Sequence, residues 1–379
     1  MKTIGIITIV KVNNYGAELQ AFALQRKLNL MGYKAEIIDY LFYKNKEFKK
    51  EKVSRPYYNF PLKKRIKEFL LPIIEEMKSL PHYKNYQNRI RGFERFHNKY
   101  TRFSPVRYYS YSQLYKNPPV YDVYCVGSDQ VWNPNCYTSL NPYFLTFAPK
   151  SSKKIAYASS FGVKNLPNDA KNIYKENLAQ LTHISTREKT GIKIIKDLTG
   201  REAKLVLDPT FLLTQEEWNE IANCSKVPNY KYILLYVLKD SKFITKTAME
   251  LSKLSGLKIV RITKGAFKQD SNKSILDITD AAPDDFIGLF SKADLILTNS
   301  FHGTVFSIIY QKDFYTILKK DKDNNSRQID LLNSLDLGNR LVYEGSFLQQ
   351  PSIDYKISNP RIEKLRHQSL DYLINAIEN

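Results

Sequence analysis

The segment KTIGIITIVKVNNYGAELQAFALQRKLNLMGYKAEIIDY, residues 2–40, decides the fold class of this chain. It opens with an apolar run, residues 2–10, that is rich in Ile and Val and typical of a buried strand. Apolar residues then recur on one helical stripe, which predicts an amphipathic helix; they are Ala17, Ala21, Leu24, Leu28 and Met31. Gly32 suits the C-terminal cap of that helix, and Ala35–Tyr40 predicts a second strand. A βαβ unit in a parallel sheet follows, with the loop after its first strand at the ligand-binding edge.

The remaining sequence repeats this alternation in two series. At 379 residues the chain exceeds the usual size of one hydrophobic core, so two domains are expected. A polar stretch, Gln215–Asn229, separates the first series from a second one that begins at Tyr230–Leu238. The predicted units are an N-terminal Rossmann-like domain (residues 1–215) with a basic, Tyr-rich insertion at about 41–110, a C-terminal Rossmann-like domain (228–345), and a C-terminal segment and helix (346–379) that could pack back on the N-terminal domain.

Positive charge is concentrated in the insertion. Residues 41–110 hold 18 Lys and Arg, 6 Asp and Glu, and 8 Tyr, within a chain of net charge +20. Such a field attracts phosphates, nucleic acid or an anionic membrane, while a solvated surface arm is the alternative. No RNP-like or helix-turn-helix signature accompanies it, so we expect no nucleic-acid partner. An amphipathic helix is predicted at Leu62–Leu80, broken at Pro72, and we favour peripheral contact between this segment and anionic lipid.

Composition and the start of the chain limit the compartment. The chain is 43% hydrophobic and holds no run of 18 apolar residues, so we expect no membrane span. The apolar run Gly5–Val10 is too short for a signal-peptide core, and the three cysteines form no CxxC pair. A cytoplasmic protein is expected, with room for peripheral contact at the inner face of the cell membrane.

Polar clusters follow the predicted strands in both series, which predicts a cleft between the two domains. Asn14 and Tyr15 lie in a loop that leads into a helix N-terminus, where free N–H groups favour an anion, although the loop could simply form the turn. Neither GxGxxG nor GxxxxGK[ST] occurs, so a nicotinamide, flavin or nucleoside triphosphate lacks its expected motif.

A second cluster, GSDQVWNP at residues 127–134, is typical of a sugar site. Asp129 and Gln130 offer hydrogen-bonding groups beside Trp132, on which a pyranose face could stack. The alternative is that Ser128 or Asp129 caps a helix and Trp132 belongs to the core.

The corner Thr298-Asn299-Ser300-Phe301-His302-Gly303 carries the most probable reacting side chain, His302. It follows an apolar strand and precedes a helix N-terminus that could lower its pKa or present a phosphate, while a structural histidine is the alternative. No HExxH or other metal-ligand spacing surrounds it, so no metal is expected. Arg187 and Arg327 offer guanidinium forks for a carboxylate or phosphate, or could form salt bridges, Arg187 for example with Glu188 or Glu202.

Taken together, these segments resemble the polysaccharide pyruvyl transferase family over roughly residues 1–340. The motifs that carry the resemblance are Asn13–Ala17, Val126–Asn133, Ala158–Gly162, Ser185–Glu188, Leu207–Thr210, Thr298–Gly303 and Asn325–Arg327. It implies an α/β, GT-B-like fold, two Rossmann-type domains with parallel sheets facing an interdomain cleft. It also implies transfer of a pyruvyl group from phosphoenolpyruvate to a sugar of a polysaccharide or lipid-linked glycan precursor, forming a pyruvate ketal with no separate cofactor.

The resemblance also implies residue roles. His302 would act in proton transfer and Arg187 would hold the donor. Members of the family have an arginine two residues before the histidine, where this chain has Ser300, and we hypothesise that Arg327 supplies the missing charge. The expected donor site is Arg187, Arg327, Ser300 and Gly303, and the expected acceptor site is Asn14, Tyr15, Asp129, Gln130, Trp132 and Ser160. The alternatives are a GT-B glycosyltransferase that uses a nucleotide-sugar and a non-enzymatic glycan- or nucleic-acid-binding protein.

Overall fold

Two parallel β-sheets, each flanked by helices, form the protein. The computed structural model describes residues 1–56, 60–79, 83–238, 241–263, 274–320, 322, 325–346 and 352–379. The strands are β1 (Thr3–Ile7), β2 (Lys34–Tyr40), β3 (Phe103–Tyr108), β4 (Val123–Val126), β5 (Lys153–Ser159), β6 (His183–Thr186), β7 (Lys204–Leu205), β8 (Tyr232–Tyr236), β9 (Lys258–Ile262), β10 (Ile275–Ile278), β11 (Leu295–Thr298), β12 (Asp313–Leu318) and β13 (Leu341–Tyr343). The helices are α1 (Tyr15–Leu30), α2 (Leu62–Ser79), α3 (Tyr83–Tyr100), α4 (Tyr111–Lys116), α5 (Lys171–Ala179), α6 (Lys189–Thr199), α7 (Gln215–Asn219), α8 (Lys242–Ser255), α9 (Pro283–Lys292), α10 (Phe301–Ile309), α11 (Ser326–Ser334) and α12 (Tyr355–Glu378).

Both sheets have the strand order of a Rossmann fold. Within the described residues the first sheet runs β3-β2-β1-β4-β5-β6-β7 and the second runs β10-β9-β8-β11-β12-β13. The order reverses between β1 and β4 in the first sheet and between β8 and β11 in the second, and ligands bind at such switch points. The predicted GT-B-like pair of Rossmann-type domains is therefore confirmed.

The opening βαβ unit forms at the centre of the first sheet. Strand β1 pairs in parallel with β2 and with β4, and Ile4, Ile6 and Ile7 are fully buried because helices cover both faces. Helix α1 begins after Asn14, whose side-chain oxygen accepts a hydrogen bond from the Ala17 N–H. This cap fixes the direction in which α1 leaves the switch point.

The predicted insertion differs from the observed structure in two respects. Its last part, Phe103–Tyr108, is an edge strand that pairs with β2, although the short FSPVRY segment has no strand-like alternation. Helix α2 also continues through Pro72, where a break was expected. The predicted helix end at Leu80 and its boundary at Pro81 lie outside the described residues.

The C-terminal helix α12 packs on the first sheet. Leu373, Ala376 and Ile377 are buried in one cluster with Ile4 and other residues of that sheet. Hydrogen bonds extend the contact, since the Leu207 N–H donates to the Ser369 hydroxyl and the Tyr372 hydroxyl donates to the Ala156 carbonyl, both at 2.9 Å. The chain thus returns to its first domain after completing the second.

An aromatic cluster joins the two domains. Tyr15 at the start of α1 stacks on Phe286 of α9, with ring centroids 4.8 Å apart. Phe286 also packs edge-to-face on Phe306 of α10, and Trp218 contacts Phe306 from the other side. Burying these rings removes a large apolar area from water. Among the described residues no helix is long and apolar enough to cross a bilayer.

We expect Phe286→Ala to lower the free energy of unfolding by about 3–5 kcal/mol, because it leaves a cavity at the centre of this cluster. Urea unfolding followed by fluorescence of the nearby Trp218 measures the change. Leu254→Ala is the matched control, since Leu254 is 85% exposed and should change the free energy by no more than about 0.5 kcal/mol. Equal unfolding curves for the two variants would contradict the interdomain role of Phe286.

Candidate active site

Ionisable side chains from several strand ends meet where the two domains touch. Asp129 follows β4, Arg187 follows β6 and Asp208 closely follows β7 in the first domain. His302 follows β11 and Arg327 follows β12 in the second domain. Arg187, Asp208, His302 and Arg327 are buried and Asp129 is partly buried. The structure thus brings ionisable residues from the strand ends of both domains together in one largely buried cluster.

Arg187 is held by two carboxylates of its own domain. Its Nη1 lies 2.5 Å from Asp208 Oδ2 and its Nη2 lies 2.9 Å from Asp129 Oδ1, with only 1% of the side chain exposed. Burial would lower the pKa of Arg187, but Asp208 and Asp129 outweigh that effect and raise it. The salt-bridge alternative therefore holds for Glu188, at 4.0 Å from Arg187 Nε, although Asp208 and Asp129 are the closer partners. Glu202 pairs instead with Lys196. The guanidinium of Arg187 is largely occupied before any donor binds.

Asp208 connects Arg187 to the histidine of the other domain. His302 Nε2 lies 3.6 Å from Asp208 Oδ2, and the Thr210 hydroxyl donates to Oδ1 at 2.7 Å. Burial alone would raise the pKa of Asp208, but His302 and Arg187 together hold it below its usual value. Asp208 is thus an ionised acceptor that faces His302.

His302 owes its position to a helix cap and a glycine. The Ser300 hydroxyl accepts from the Gly303 N–H at 3.3 Å, so Ser300 is the N-cap of α10 and His302 lies in its first turn. The imidazole packs against Gly16 of the first domain, where a β-carbon would overlap its Nδ1. Within the described residues, Nε2 of His302 has no hydrogen-bond partner. A buried imidazole nitrogen that faces Asp208 without a hydrogen bond among the described residues therefore lies at the interdomain contact.

Arg327 is a buried cation that has no counter-ion at ion-pair distance among the described residues. Within the described ranges no carboxylate lies in ion-pair distance of it, and its Nε makes no hydrogen bond. Its Cζ lies 5.5 Å from the ring centroid of Phe301, and Cζ of Arg187 lies 4.6 Å from the same centroid. Burial, and then repulsion from Arg187, lowers the pKa of Arg327 to about 10 despite nearby carboxylates. An anion bound here would relieve both unfavourable effects.

Glu188 contributes a second incompletely satisfied group. One of its oxygens accepts from the Phe161 N–H at 3.0 Å, and the other, Oε2, makes no hydrogen bond among the described residues. Oε2 lies 4.0 Å from Arg187 Nε. Burial raises the pKa of Glu188 against the opposing effect of Arg187 and Arg327. Glu188 is therefore suited to carrying a proton in the site.

Two residues predicted to bind the acceptor are instead core residues. Trp132 is fully buried, its Nε1 donates to the Tyr143 carbonyl at 2.8 Å, and its ring stacks on Phe144. Tyr15 is buried against Phe286, and its hydroxyl donates to the Ala281 carbonyl. Neither ring can stack on a sugar in this structure. The prediction was wrong for both because tertiary neighbours, which the local motif does not show, cover these rings.

The other predicted site residues differ in their exposure to solvent. Asn14 is exposed and caps α1, and Gln130 is partly buried with its oxygen accepting from Asn133 Nδ2 at 2.7 Å. Ser160 is buried beneath the Asp129 loop, where its N–H donates to the Asp129 carbonyl and its hydroxyl has no partner among the described residues. Gly303 packs against Thr298. Among the predicted acceptor residues, Asn14 is thus exposed, and Asp129 and Gln130 are partly buried.

Sequence reasoning missed Asp208, Glu188 and Gly16 as site residues, although all three lie in quoted motifs. Asp208 and Glu188 each come directly after a strand-end segment, which is the signal that could have identified them. Gly16 could not be recognised, because its role depends on His302 approaching from the other domain. Within the described part of the chain, no three His, Cys, Asp or Glu side chains are grouped as ligands for a metal ion.

Because its pKa is lowered in the folded state, Asp208 should stabilise the protein above the ordinary aspartate pKa of about 3.9 and lose that contribution as the pH falls below it. We therefore expect Asp208→Asn to have a lower free energy of unfolding than the wild type at neutral pH. The difference between the two free energies should become smaller as the pH falls. Urea midpoints measured across the acid range test this. Asp197→Asn, on the exposed face of α6, is the control. A gap that stays constant down to low pH would exclude this role of Asp208.

Solved structures similar to this chain include two UDP-GlcNAc 2-epimerases and Arabidopsis thaliana UGT89C1. The UDP-N-acetylglucosamine 2-epimerase from Rickettsia bellii aligns with a TM-score of 0.50 at 9% identity, covering 100% of this chain and 97% of that one. UDP-GlcNAc 2-epimerase from Methanocaldococcus jannaschii has a TM-score of 0.48 at 13% identity and covers 96% and 92%. Arabidopsis thaliana UGT89C1 has a TM-score of 0.49 at 11% identity and covers 100% and 98%. At such identities the likeness concerns the fold alone, and no curated protein matches the chain significantly.

A family comparison gives the membership. The model of polysaccharide pyruvyl transferase matches residues 14–318, well over half of the 379-residue chain. The match runs from the Asn14 cap of α1 to the end of β12, and includes Asp129, Arg187, Asp208 and His302 but not Arg327. This chain belongs to the polysaccharide pyruvyl transferase family.

Proposed function

We propose that this protein transfers the pyruvyl group of phosphoenolpyruvate to a sugar of a polysaccharide or lipid-linked glycan precursor, forming a pyruvate ketal. Family membership supports the reaction class. The observation that carries the choice of donor is Arg327, a buried cation that lies beside a second arginine and has no ion-pair partner in the described part of the chain. Phosphoenolpyruvate brings a carboxylate and a phosphate, and a guanidinium fork matches either group.

In this proposal the donor lies between Arg327 and the first turn of α10. Backbone N–H groups at a helix N-terminus are oriented to receive an anion, and Gly303 adds no side chain to that turn. The charge of Arg187 is already neutralised by Asp208 and Asp129, so in this proposal Arg187 fixes the positions of these side chains behind the donor. Arg327 would thereby supply the charge that Ser300 does not.

The reaction needs an acid and a base. A proton adds to the methylene carbon of phosphoenolpyruvate to make the methyl group, two sugar oxygens bond to the adjacent carbon, and the bond from that carbon to the phosphate oxygen breaks. The two hydroxyl protons thus end on the methyl carbon and the released phosphate. We assign the base to His302, oriented by Asp208, and the acid to Glu188, whose pKa is raised by burial.

We assign the acceptor to the first domain. Asn14 is exposed and Gln130 is partly buried, and their amides can pair with sugar hydroxyls. We place the reaction in the cytoplasm because a multiply charged donor does not cross a bilayer unaided.

We expect Arg327→Ala to lower kcat/KM for phosphate release from phosphoenolpyruvate, with an acceptor glycan present, by roughly 100-fold or more. Arg327→Lys should recover part of the loss, since it keeps the charge without the fork. Phosphoenolpyruvate should raise the melting temperature of the wild type and not of Arg327→Ala, with exposed Lys193→Ala as the control. Stabilisation by nucleotide-sugars and none by phosphoenolpyruvate would favour a GT-B glycosyltransferase instead.

Removing either proton-transfer group should lower kcat by about 10²- to 10⁴-fold with donor binding retained. His302→Ala tests the base, and Glu188→Gln tests the acid. In the wild type, activity should fall as the pH rises through the raised pKa of Glu188, and this fall should be absent in Glu188→Gln. His367→Ala, on the exposed face of α12, is the matched control. Wild-type turnover in both His302→Ala and Arg327→Ala would refute the site assignment.

A further inference from the structure

Helix α2 presents a stripe of apolar side chains to solvent. Leu62, Ile66, Leu70 and Ile74 are 69%, 50%, 41% and 40% exposed. Their spacing of four residues places them along one side of the helix. Contiguous exposed apolar surface of this kind marks an interaction site in a folded protein.

The opposite side of α2 is the one that holds it to the protein. Lys64 Nζ donates to Asn135 Oδ1 at 2.6 Å and lies 4.5 Å from the ring centroid of Phe60. Glu68 accepts from the Tyr43 hydroxyl at 3.2 Å. A surface helix normally buries its apolar stripe and exposes its charges, so the described side chains of α2 have the reverse orientation.

Cations border the stripe. At about 100° per residue, Lys63 and Lys67 project beside the stripe, and both are exposed, as is Arg65. Glu68, the acid of the first two turns, faces the protein. A helix with an apolar stripe and flanking lysines matches the composition of helices that lie in a membrane interface, with lysine stems extending toward the headgroups.

We propose that α2 docks this protein on the surface of an anionic lipid bilayer, with the stripe in the headgroup region and Lys63 and Lys67 on lipid phosphates. This goes beyond the proposed reaction and does not depend on it. Charge decides against a second copy of the chain, because a two-fold contact through the stripe would bring these lysines toward their own counterparts.

The docking surface adjoins the acceptor side of the site. Asn135, which anchors α2, lies in the loop that carries Asp129 and Gln130. A bilayer held against α2 would therefore be separated from this loop by the width of one helix, about 10 Å. A lipid-linked sugar is the acceptor chemistry that this arrangement favours.

The test is co-sedimentation of the full chain with vesicles of phosphatidylcholine alone and of phosphatidylcholine with phosphatidylglycerol. We expect binding to the anionic vesicles only, weakened by added salt. Ile66→Ser with Leu70→Ser, and separately Lys63→Gln with Lys67→Gln, should each lower the partition coefficient roughly tenfold or more. The matched control is Val120→Ser with Leu254→Ser, at positions 87% and 85% exposed elsewhere on the surface. Unchanged circular dichroism and melting temperature show that the variants fold.

Three outcomes would overturn the proposal. The wild type could fail to bind anionic vesicles at low ionic strength, or the Ile66/Leu70 variant could bind as well as the wild type. Light scattering could instead show a wild-type dimer that the same variant disperses, which would make a second copy the occupant. Phosphate release with a soluble acceptor should be unaffected by the α2 variants, so failure of docking and failure of the proposed reaction are distinguishable.

Discussion

The ion pairs of Arg187 with Asp208 and Asp129 are the contacts on which the site depends. Removing three charges from water is costly, and it is sustained here only because each charge faces an opposite one at hydrogen-bond distance. The pairs tie together the ends of β4, β6 and β7, and Asp208 extends the network to His302 in the other domain. Loss of one partner would leave a buried charge uncompensated.

The same boundary carries the apolar contacts between the domains. Tyr15 stacks on Phe286 of the second domain. The next residue in the chain, Gly16, has no β-carbon and so leaves space for the ring of His302. Packing of α1 against the second domain and placement of the histidine are therefore set by adjacent residues. Arg327 and Glu188 lie within this closed boundary, where low polarity strengthens each remaining electrostatic interaction.

The motif around Ser300 keeps the geometry of a helix cap, although it lacks the arginine that members of the family have at this position. Ser300 caps α10 and so fixes the first turn that carries His302, a task for which a hydroxyl is suited. In our proposal the cation comes instead from Arg327 at the start of α11, across the ring of Phe301. The sequence suggested this exchange, and the absence of a counter-ion at Arg327 among the described residues is what supports it.

The sequence by itself determined the two Rossmann-type sheets and the location of the site, because hydrophobic periodicity is local and parallel strands present their ends at one edge. Only the tertiary structure decided that β3 completes the first sheet and that Tyr15 and Trp132 are core residues. It also chose the partners of Arg187, which lie 21 and 58 residues away in the chain. Burial and ion pairing depend on residues that folding brings together from distant parts of the chain, so a local sequence pattern cannot predict them.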